Sequence, residues 1–246
     1  MTALASSYYD ADLVQAWKQA TTALANQANT PYVIVTSFGD AWARGKAGLK
    51  ALDAVARDAG FEAPSSVASV LCPRIVRLSG GSVSEAIESG QIMLGKGRKR
   101  GLNFSGWRHT YFERLTGVWY DRFGVRQVIK TNRLLTAIDK LNQWGKNSEA
   151  ALYLHTDLPS DTFRTRGSPC LQYVQIRSYG TKQVSLGAVY RSHDYSNKAL
   201  GNFFGLHELG NFIADRTGRS FEGVDIVSFN PFVSGKASTN EFVARI

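Results

Sequence analysis

The sequence predicts an α+β protein in which a mixed β-sheet is covered by helices. Several segments carry apolar residues at helical spacing, several adjacent strand-like runs cluster in the second half of the chain, and two of these runs flank a short Gly-containing turn. The 246 residues are 43% hydrophobic, which is enough for one sizeable core. No linker, internal repeat or low-complexity segment divides the chain, so we expect a single domain over residues 1–246.

In the first half of the chain the sequence predicts three helices and two strands. Asp10 or Asp12 can cap the first helix, and Ser82 or Ser84 can cap the third. Pro73 is placed to close the second strand. The expected elements are a helix to about Gln27, a strand from Pro31 to Phe38, a helix from Ala47 to Ala59, a strand from Ser65 to Leu71, and a short helix that carries Glu85 and Glu88.

In the second half, the clearest helix is expected from Arg126 to Trp144, because its apolar residues form one stripe. Residues 171–178 and 183–191 are rich in aromatic and β-branched residues and flank the turn, which predicts a β-hairpin. The remaining expected elements are a strand from Ala150 to His155, a long helix from Asn197 to Thr217 that ends at Gly218, and a last strand from Val224 to Phe229.

The chain is strongly basic, with 29 Lys and Arg against 20 Asp and Glu and a net charge of +9. Such a charge attracts polyanions: nucleic acid, anionic lipid, or the phosphates of small ligands. The densest basic run, residues 95–101, is bounded by glycines and predicts a mobile surface loop. A nucleic-acid contact and a solvated loop are both compatible with this run, and the nucleic-acid interpretation depends on charge alone.

Several classes of protein are disfavoured by what the sequence lacks. The first nine residues have neither the basic nor the apolar segment of a signal peptide, and no stretch approaches about 18 uninterrupted apolar residues, so we expect no membrane span. The two cysteines, Cys72 and Cys170, are then expected as free thiols in a reducing cytoplasm. The four histidines have no Cys or His partner at ligand spacing, so we expect no structural zinc site.

The predicted hairpin carries a group of residues that indicates chemistry. Cys170 precedes its first strand, and residues 191–194, Arg-Ser-His-Asp, follow at the end of its second strand. In a hairpin these two ends lie side by side, so Cys170 should lie near Arg191 and Ser192. A nearby guanidinium stabilises a thiolate and lowers its pKa from about 8.5, which is the condition for a reactive cysteine.

Structural interpretations of the same residues remain open at this point. Cys170 is also compatible with a small buried hydrophobe, and Arg191 with Asp194 is compatible with a structural salt bridge across the hairpin end. Strand alternation places His193 on the opposite face from Ser192, so we expect it at the surface.

These motifs, in this order and spacing, resemble those of the thymidylate synthase family, which alkylates C5 of a pyrimidine nucleotide. The matching residues are Pro169-Cys170, Gln175, residues 191–194 as Arg-Ser-x-Asp, and Leu200-Gly201 followed by a Phe-rich helix start. The resemblance covers roughly Tyr120 to Phe232. It implies a thymidylate synthase-like α+β fold, a mixed sheet covered by helices, and a homodimer.

The resemblance also implies the catalytic and cofactor residues. Cys170 would attack C6 of the pyrimidine, which makes C5 nucleophilic towards a one-carbon unit. Asp194 would lie near the base and the folate, and Tyr120 lies in the segment expected near the folate. Glu85 is the candidate for the family's catalytic glutamate, with a solvent-facing helix residue as the alternative.

The substrate-binding residues follow from the same resemblance. Arg191 and Ser192 would bind the nucleotide phosphate, and the backbone at Gly201 would line the pocket. Asn202 or His207 would contact the edge of the base, because a gap-free count puts a glycine where the family has its asparagine. The implied set is Arg191, Ser192, Gln175, Gly201, Asn202, His207 and Arg166.

The chain departs from the family pattern at three places. Leu171 stands where the family has His after the Pro-Cys pair, and the segment 224–232 contains no His-x-Tyr for the sugar. Residues 147–150 stand where a twin-arginine phosphate clamp is expected, and Arg164 and Arg166 are the nearby substitutes. The base, the sugar, and the choice between methyl and hydroxymethyl product are therefore left open.

The expected function is folate-dependent C5 methylation or hydroxymethylation of a pyrimidine nucleoside monophosphate, through a covalent Cys170 adduct at C6. The implied cofactor is 5,10-methylenetetrahydrofolate. The alternative is a non-catalytic thymidylate synthase-like module that binds a nucleotide or nucleic acid.

Overall fold

A mixed six-stranded β-sheet with helices packed on one face forms the centre of the protein. The computed structural model describes residues 5–27, 31–41, 45–101, 109–143, 152–161 and 168–246. The strands are β1 (Ala5–Asp12), β2 (Val33–Ala41), β3 (Val118–Tyr120), β4 (Arg126–Val128), β5 (Leu152–His155), β6 (Leu171–Tyr179), β7 (Gln183–Tyr190), β8 (His193–Asp194), β9 (Ser220–Phe229) and β10 (Pro231–Phe232). The helices are α1 (Leu13–Asn26), α2 (Gly45–Asp58), α3 (Pro64–Leu71), α4 (Arg74–Leu78), α5 (Val83–Lys99), α6 (Tyr111–Thr116), α7 (Arg133–Gln143), α8 (Ala199–Thr217) and α9 (Lys236–Arg245).

The strand order of the main sheet is β1-β2-β9-β7-β6-β5. β1 pairs with β2 and β7 pairs with β9 in parallel, whereas β2–β9, β5–β6 and β6–β7 are antiparallel. The predicted mixed sheet with helices is therefore confirmed, and the hairpin β6–β7 lies within it. Two small pairs, β3–β4 and β8–β10, stand beside the sheet.

One face of the sheet carries the core, since alternate residues of each central strand are buried beneath the helices. The other face has a row of residues, paired in register across the sheet, that are half-buried or exposed. We call this row the open-face row. It consists of Ser7, Val35, Val227, Val189, Tyr173 and His155.

The long helix α8 is confirmed, and it lies close to α3. A Cβ atom at Gly201 would lie 2.8 Å from the carbonyl oxygen of Pro64, and one at Gly205 would lie 2.8 Å from Cβ of Leu71. Both glycines therefore permit a helix–helix approach that a larger residue would block. Gly218 ends α8 in the left-handed conformation, as the sequence predicts.

The predicted strand from Ser65 to Leu71 is wrong, because this segment is helix α3. Pro64 stands at the first helical position, where its fixed φ favours a helix. Val67, Val70 and Leu71 then fall on one buried face at the i, i+3, i+4 spacing of a helix. The helical spacing of these buried residues outweighs the preference of β-branched residues for strands.

The predicted helix from Arg126 to Trp144 begins too early. Arg126–Val128 is strand β4, paired with β3, and Val128 is 67% exposed and takes no part in an apolar stripe. The helix α7 begins at Arg133, where the Asn132 side chain accepts a hydrogen bond from the backbone N–H of Leu135. Trp144 lies outside the described residues.

The basic run 95–101 was predicted as a mobile loop, and this prediction is wrong because α5 continues to Lys99. Arg98 pairs with Glu113 and donates to the carbonyl of Tyr120 at 3.1 Å. A Cβ atom at Gly95 would lie 2.6 Å from Cβ of Tyr120. The glycine thus permits close packing of β3 on the helix, and one of the four cations is held in an ion pair.

The sequence analysis predicted neither the strands β1, β3, β8 and β10 nor the helices α4, α6 and α9. In β1 exposed and half-buried residues alternate, and no residue of the strand is fully buried. The strand therefore lacks the alternation of apolar and polar residues by which a strand is predicted from sequence. Asp12 ends this strand and caps α1, and its carboxylate accepts from the backbone N–H groups of Val14 and Gln15.

Within the described ranges, no helix is both long enough and apolar enough to cross a membrane.

Candidate functional site

A cavity of about 270 Å³ lies where the hairpin β6–β7 opens, between α3, α8 and the β8–β10 pair. Its lining residues come from five separate segments of the sequence, which the fold brings together. The cavity is lined by Val67, Val70, Tyr111, Cys170, Ser192, His193, Asp194, Lys198, Asn202 and Phe232.

Arg191 holds the cysteine segment at this cavity. Its backbone N–H donates to the carbonyl of Cys170 at 2.9 Å, which extends the hairpin by one bond. Its guanidinium donates through Nε to the carbonyl of Pro169 at 3.1 Å and through Nη2 to that of Ser168 at 2.9 Å. Arg191, the cation that we predicted near Cys170, therefore also fixes the backbone of the cysteine segment through these hydrogen bonds.

The prediction of a lowered thiol pKa is wrong. Burial raises the pKa of Cys170 above its ordinary value, and the charges of Arg191 and Lys198 lower it by less than burial raises it. At neutral pH the thiol is therefore mostly protonated in the free protein. A ligand or a base that takes the proton is needed before the sulfur becomes a strong nucleophile.

His193 was expected at the surface and is instead buried, with 2% exposure. Its ring is stacked on Tyr190 with 3.9 Å between centroids and 7° between planes. Nδ1 lies 2.9 Å from Oγ of Ser228, and Nε2 lies 3.1 Å from Nδ2 of Asn202. Burial lowers the pKa of His193 to about 3, so the imidazole is neutral at physiological pH.

Asp194 lines the cavity but uses both carboxylate oxygens to hold the local backbone. Oδ1 accepts from the backbone N–H and the hydroxyl of Ser196 and from the backbone N–H of Asn197. Oδ2 accepts from the hydroxyl of Ser234 at 2.8 Å. The carboxylate thus organises the turn that leads into α8, and its hydrogen bonds go to these groups rather than to Arg191.

Two polar residues of the cavity were missed by the sequence analysis. Tyr111 is buried, its hydroxyl accepts from the backbone N–H of Leu171 at 3.2 Å, and burial raises its pKa. The signal that could have found it is the capping box formed by Thr110 and Glu113, which fixes a helix start at Tyr111. Lys198, the residue before α8, lines the cavity and pairs with Glu62.

Four described residues that the resemblance assigned to the substrate are not part of the cavity lining: Arg191, whose contacts are given above, and Gln175, Gly201 and His207. Gln175 lies on the open-face side of β6 and donates to the carbonyl of Leu152. Gly201 lies against α3, as described above. His207 lies further along α8, where Nε2 is 2.9 Å from the carboxylate of Asp40. Of the two candidates for the base edge, Asn202 and His207, only Asn202 lines the cavity.

The remaining assigned residues also lie elsewhere or outside the described ranges. Glu85 is exposed at the start of α5, where it forms a capping box with Ser82 that lowers its pKa. Tyr120 ends β3 and packs on Gly95, away from the cavity lining. Arg164 and Arg166, and residues 147–150, lie outside the described residues.

Comparison with known proteins gives no independent assignment. A scan against protein-family models finds no match, and a search of curated proteins finds no similar sequence.

Within the part of the chain that the structure describes, no group of three or more His, Cys, Asp or Glu residues is arranged to hold a metal ion. Both cysteines are free, and Cys72 is buried.

The raised pKa of Cys170 leads to a test by alkylation. Iodoacetamide alkylates the thiolate, so the labelling rate at Cys170, measured by mass spectrometry, follows the fraction of thiolate as the pH rises. Because the pKa of Cys170 is raised, we expect this rate still to increase at pH values above the free-cysteine pKa of about 8.5. Lys198→Met removes a cation that lowers this pKa, so the labelling profile should shift to higher pH. Lys182→Met, an exposed residue of the hairpin turn, is the control and should leave the profile unchanged. A midpoint below about 8.5 in the wild type would contradict this account.

Proposed function

We propose that the protein is a folate-dependent one-carbon transferase that alkylates C5 of a pyrimidine nucleoside monophosphate through a covalent Cys170 adduct at C6. The observation that carries this proposal is the cavity, where Cys170, Ser192, Asp194 and Asn202 meet. Cys170, Ser192 and Asp194 are among the residues through which the chain resembles the thymidylate synthase family, and Asn202 is a candidate substitute for the family's base-reading asparagine. The product, methyl or hydroxymethyl, is not specified by these residues.

The proposed reaction begins at the sulfur. The thiolate of Cys170 forms a bond to C6, and the C5–C6 π electrons move towards C5 and the adjacent base carbonyl. C5 would then bond to the one-carbon unit and lose its proton to a base, and the bond from that carbon to the folate nitrogen would break. Water at that carbon would complete a hydroxymethyl group, and a hydride from the reduced folate would complete a methyl group. Elimination breaks the S–C6 bond, restores the C5–C6 double bond and returns the electron pair to sulfur, so the protein ends as it began.

Charges at and next to the cavity fit a phosphate monoester, since Lys198 lines the cavity and Arg191 binds the backbone of the cysteine segment. Arg191 uses Nε and Nη2 for the cysteine segment, and a guanidinium has five N–H donors, so other N–H groups remain for a phosphate. Ser192 supplies a hydroxyl at the cavity wall, and Lys198 supplies a second cation. A phosphate held here would place the base in the cavity beside Cys170. The bound anion would itself raise the pKa of the nearby thiol, whereas the charges of Arg191 and Lys198 lower it.

The apolar wall of the cavity fits the flat ring system of the implied cofactor, 5,10-methylenetetrahydrofolate. Val67 and Val70 of α3 form one side, and the Phe232 ring, which is 38% exposed, lies at the rim. Such surfaces favour stacking of a planar heterocycle on a bound base. When bound, the folate would supply the one-carbon unit.

The direct test of the proposed function is adduct formation. Incubation with a 5-fluoropyrimidine nucleoside monophosphate and methylenetetrahydrofolate should raise the intact mass by the sum of both ligands, because fluorine at C5 cannot leave as a proton does. Cys170→Ala should give no mass increase, and Cys72→Ala, which changes the buried cysteine outside the cavity, should still form the adduct. Equal masses for wild type and Cys170→Ala with both uracil and cytosine nucleotides would refute the covalent step.

A second candidate function is a non-catalytic module that binds a nucleotide or nucleic acid. The raised pKa of Cys170 favours it, because a protonated thiol is a poor nucleophile. The net charge of +9 also fits an anionic ligand. In this case nucleotide affinity would be the same in the wild type and in Cys170→Ala, and no adduct would form.

We also propose that the protein is a homodimer that pairs through the open face of the sheet. The open-face row crosses all six strands, and Val35, Val227 and Val189 are adjacent in it. Neighbouring β-branched residues that are only half-buried on a sheet face are typical of a surface that packs against another sheet. The resemblance to the thymidylate synthase family, whose members are dimers, supports a second copy of this chain as the partner.

This arrangement can be tested with a charge on the open face. Val227→Glu puts a carboxylate at the centre of the row, so the mass measured by light scattering after gel filtration should fall from that of a dimer to that of a monomer. Val128→Glu, at an exposed position of β4 outside the sheet face, is the matched control and should remain dimeric. A dimer that persists in Val227→Glu, or a monomeric wild type, would exclude this interface.

A further inference from the structure

The hairpin of β3 and β4 exposes apolar side chains at its outer end. We call residues 122–128 the hairpin tip, and every residue of this segment is exposed. Phe123 is 69% exposed, Val125 is 52% exposed and Val128 is 67% exposed. These side chains belong neither to the core, nor to the cavity, nor to the open-face row. Exposed apolar side chains grouped in this way indicate a binding surface.

Hydrogen bonds hold the hairpin tip in one conformation. Oδ1 of Asp121 accepts from the backbone N–H groups of Phe123 and Val125, at 2.8 Å each. The backbone N–H of Asp121 donates to the carbonyl of Val125 at 3.1 Å, and Gly124 adopts the left-handed conformation that the turn requires. Because the turn is already ordered, contact with a partner would cost little conformational entropy.

Cations surround the apolar side chains of the hairpin tip. Lys99, the last residue of α5, reaches the tip, since a Cβ atom at Gly124 would lie 2.8 Å from Nζ of Lys99. The guanidinium of Arg122 lies over the Phe123 ring, 4.7 Å from its centroid. Arg126 is exposed on β4. The tip therefore combines an exposed aromatic ring with three cations.

Few acidic groups balance these cations. Asp121 is the only acidic residue in the basic run 95–101 and in the segment 118–128. Its carboxylate accepts hydrogen bonds within the turn. Lys99 and Arg100, at the end of the basic run, are both exposed. The surface that the hairpin tip forms with the end of α5 is therefore strongly positive and complements an anionic partner.

The apolar side chains distinguish between the anionic partners that the charge allows. A nucleic acid would bind the cations through its phosphates and could stack a base on Phe123, but Val125 and Val128 offer no ring for stacking. A membrane surface uses both kinds of side chain, because apolar groups enter the boundary of the acyl chains and cations bind anionic headgroups. Long Arg and Lys side chains also keep their charges at the headgroups while their stems lie along apolar surface.

We propose that the hairpin tip and the end of α5 form a docking surface for an anionic lipid membrane. Phe123 and Val125 enter the interface, and the cations around them bind the lipid headgroups. Binding is peripheral and reversible, because one aromatic ring and one valine bury little apolar area. The surface lies outside the lining of the Cys170 cavity, so this proposal does not depend on the proposed function.

Co-sedimentation with vesicles tests this surface. The wild type should bind vesicles of phosphatidylcholine mixed with phosphatidylserine more tightly than vesicles of phosphatidylcholine alone, and added salt should reduce the difference. Phe123→Ser should weaken binding to the mixed vesicles about tenfold, because it removes an aromatic side chain from the interface. Arg126→Gln should weaken it about fivefold, the effect of one cation near an anionic surface.

Two exposed residues elsewhere provide matched controls. Leu78→Ser changes an apolar side chain that is 60% exposed at the end of α4, and Lys182→Gln changes an exposed cation in the turn of the β6–β7 hairpin. Both variants should bind the mixed vesicles as the wild type does. Because all the substituted side chains are exposed, every variant should keep the wild-type melting temperature.

Fluorescence measures the insertion itself. With the mixed vesicles, Phe123→Trp should add emission at shorter wavelength that lipids brominated on their acyl chains quench, and Leu78→Trp should not. A wild type that binds both kinds of vesicle equally or binds neither, or a Phe123→Ser protein that binds as tightly as the wild type, would overturn the proposal. Binding of a single-stranded oligonucleotide at this surface, weakened by Arg126→Gln while no vesicle is bound, would overturn it in favour of a nucleic-acid contact.

Discussion

The closing hydrogen bond of the β6–β7 hairpin is the constraint on which the site depends. The backbone N–H of Arg191 donates to the carbonyl of Cys170, and the Arg191 guanidinium binds the two carbonyls before it in the chain. The thiol, Ser192 and the turn into α8 are thereby brought to one end of the sheet. The close approach of α3 to α8 at Gly201 then supplies the opposite wall, so the cavity exists only where both contacts are made.

The cavity combines two opposing influences on the thiol. Burial among apolar residues raises the pKa of Cys170, and the two cations near it lower that pKa by less. The same burial excludes water and strengthens each charge–charge interaction inside the cavity. A protonated resting thiol is compatible with both a catalyst and a binding protein. A catalyst must remove the proton once its substrate is in place.

Local patterns predicted those parts of the molecule that local interactions determine. The hairpin, the helix α8 with its glycine end, and the capping of α1 follow from turn residues, periodicity and side-chain caps. Strand alternation predicted His193 on the face opposite Ser192, whereas both residues line the cavity. It could not show that the far side of β8 is the interior, because β10 and α8 cover it only in the folded chain.

The site was predictable only as far as its residues lie near one another in sequence. Cys170, Ser192 and Asp194 follow from the hairpin, whereas Tyr111 reaches the cavity from 60 residues away in sequence through its bond to Leu171. Gln175 and Gly201 belong to the same motifs, and His207 was a candidate for the base edge, but they face the open sheet side, α3 and Asp40, respectively. Tertiary packing decides which way each of these side chains faces, and a short sequence motif contains no information about that packing.

The central claim, that Cys170 adds to C6 of a pyrimidine, is tested most directly by release of tritium from C5. Addition at C6 makes C5 exchange its hydrogen even when the full reaction is slow. Wild-type protein should release tritium from a C5-labelled uracil or cytosine nucleotide, and Cys170→Ala should release none above the rate without protein. Equal rates for both proteins, with nucleotide bound to each, would contradict covalent catalysis and leave a binding function.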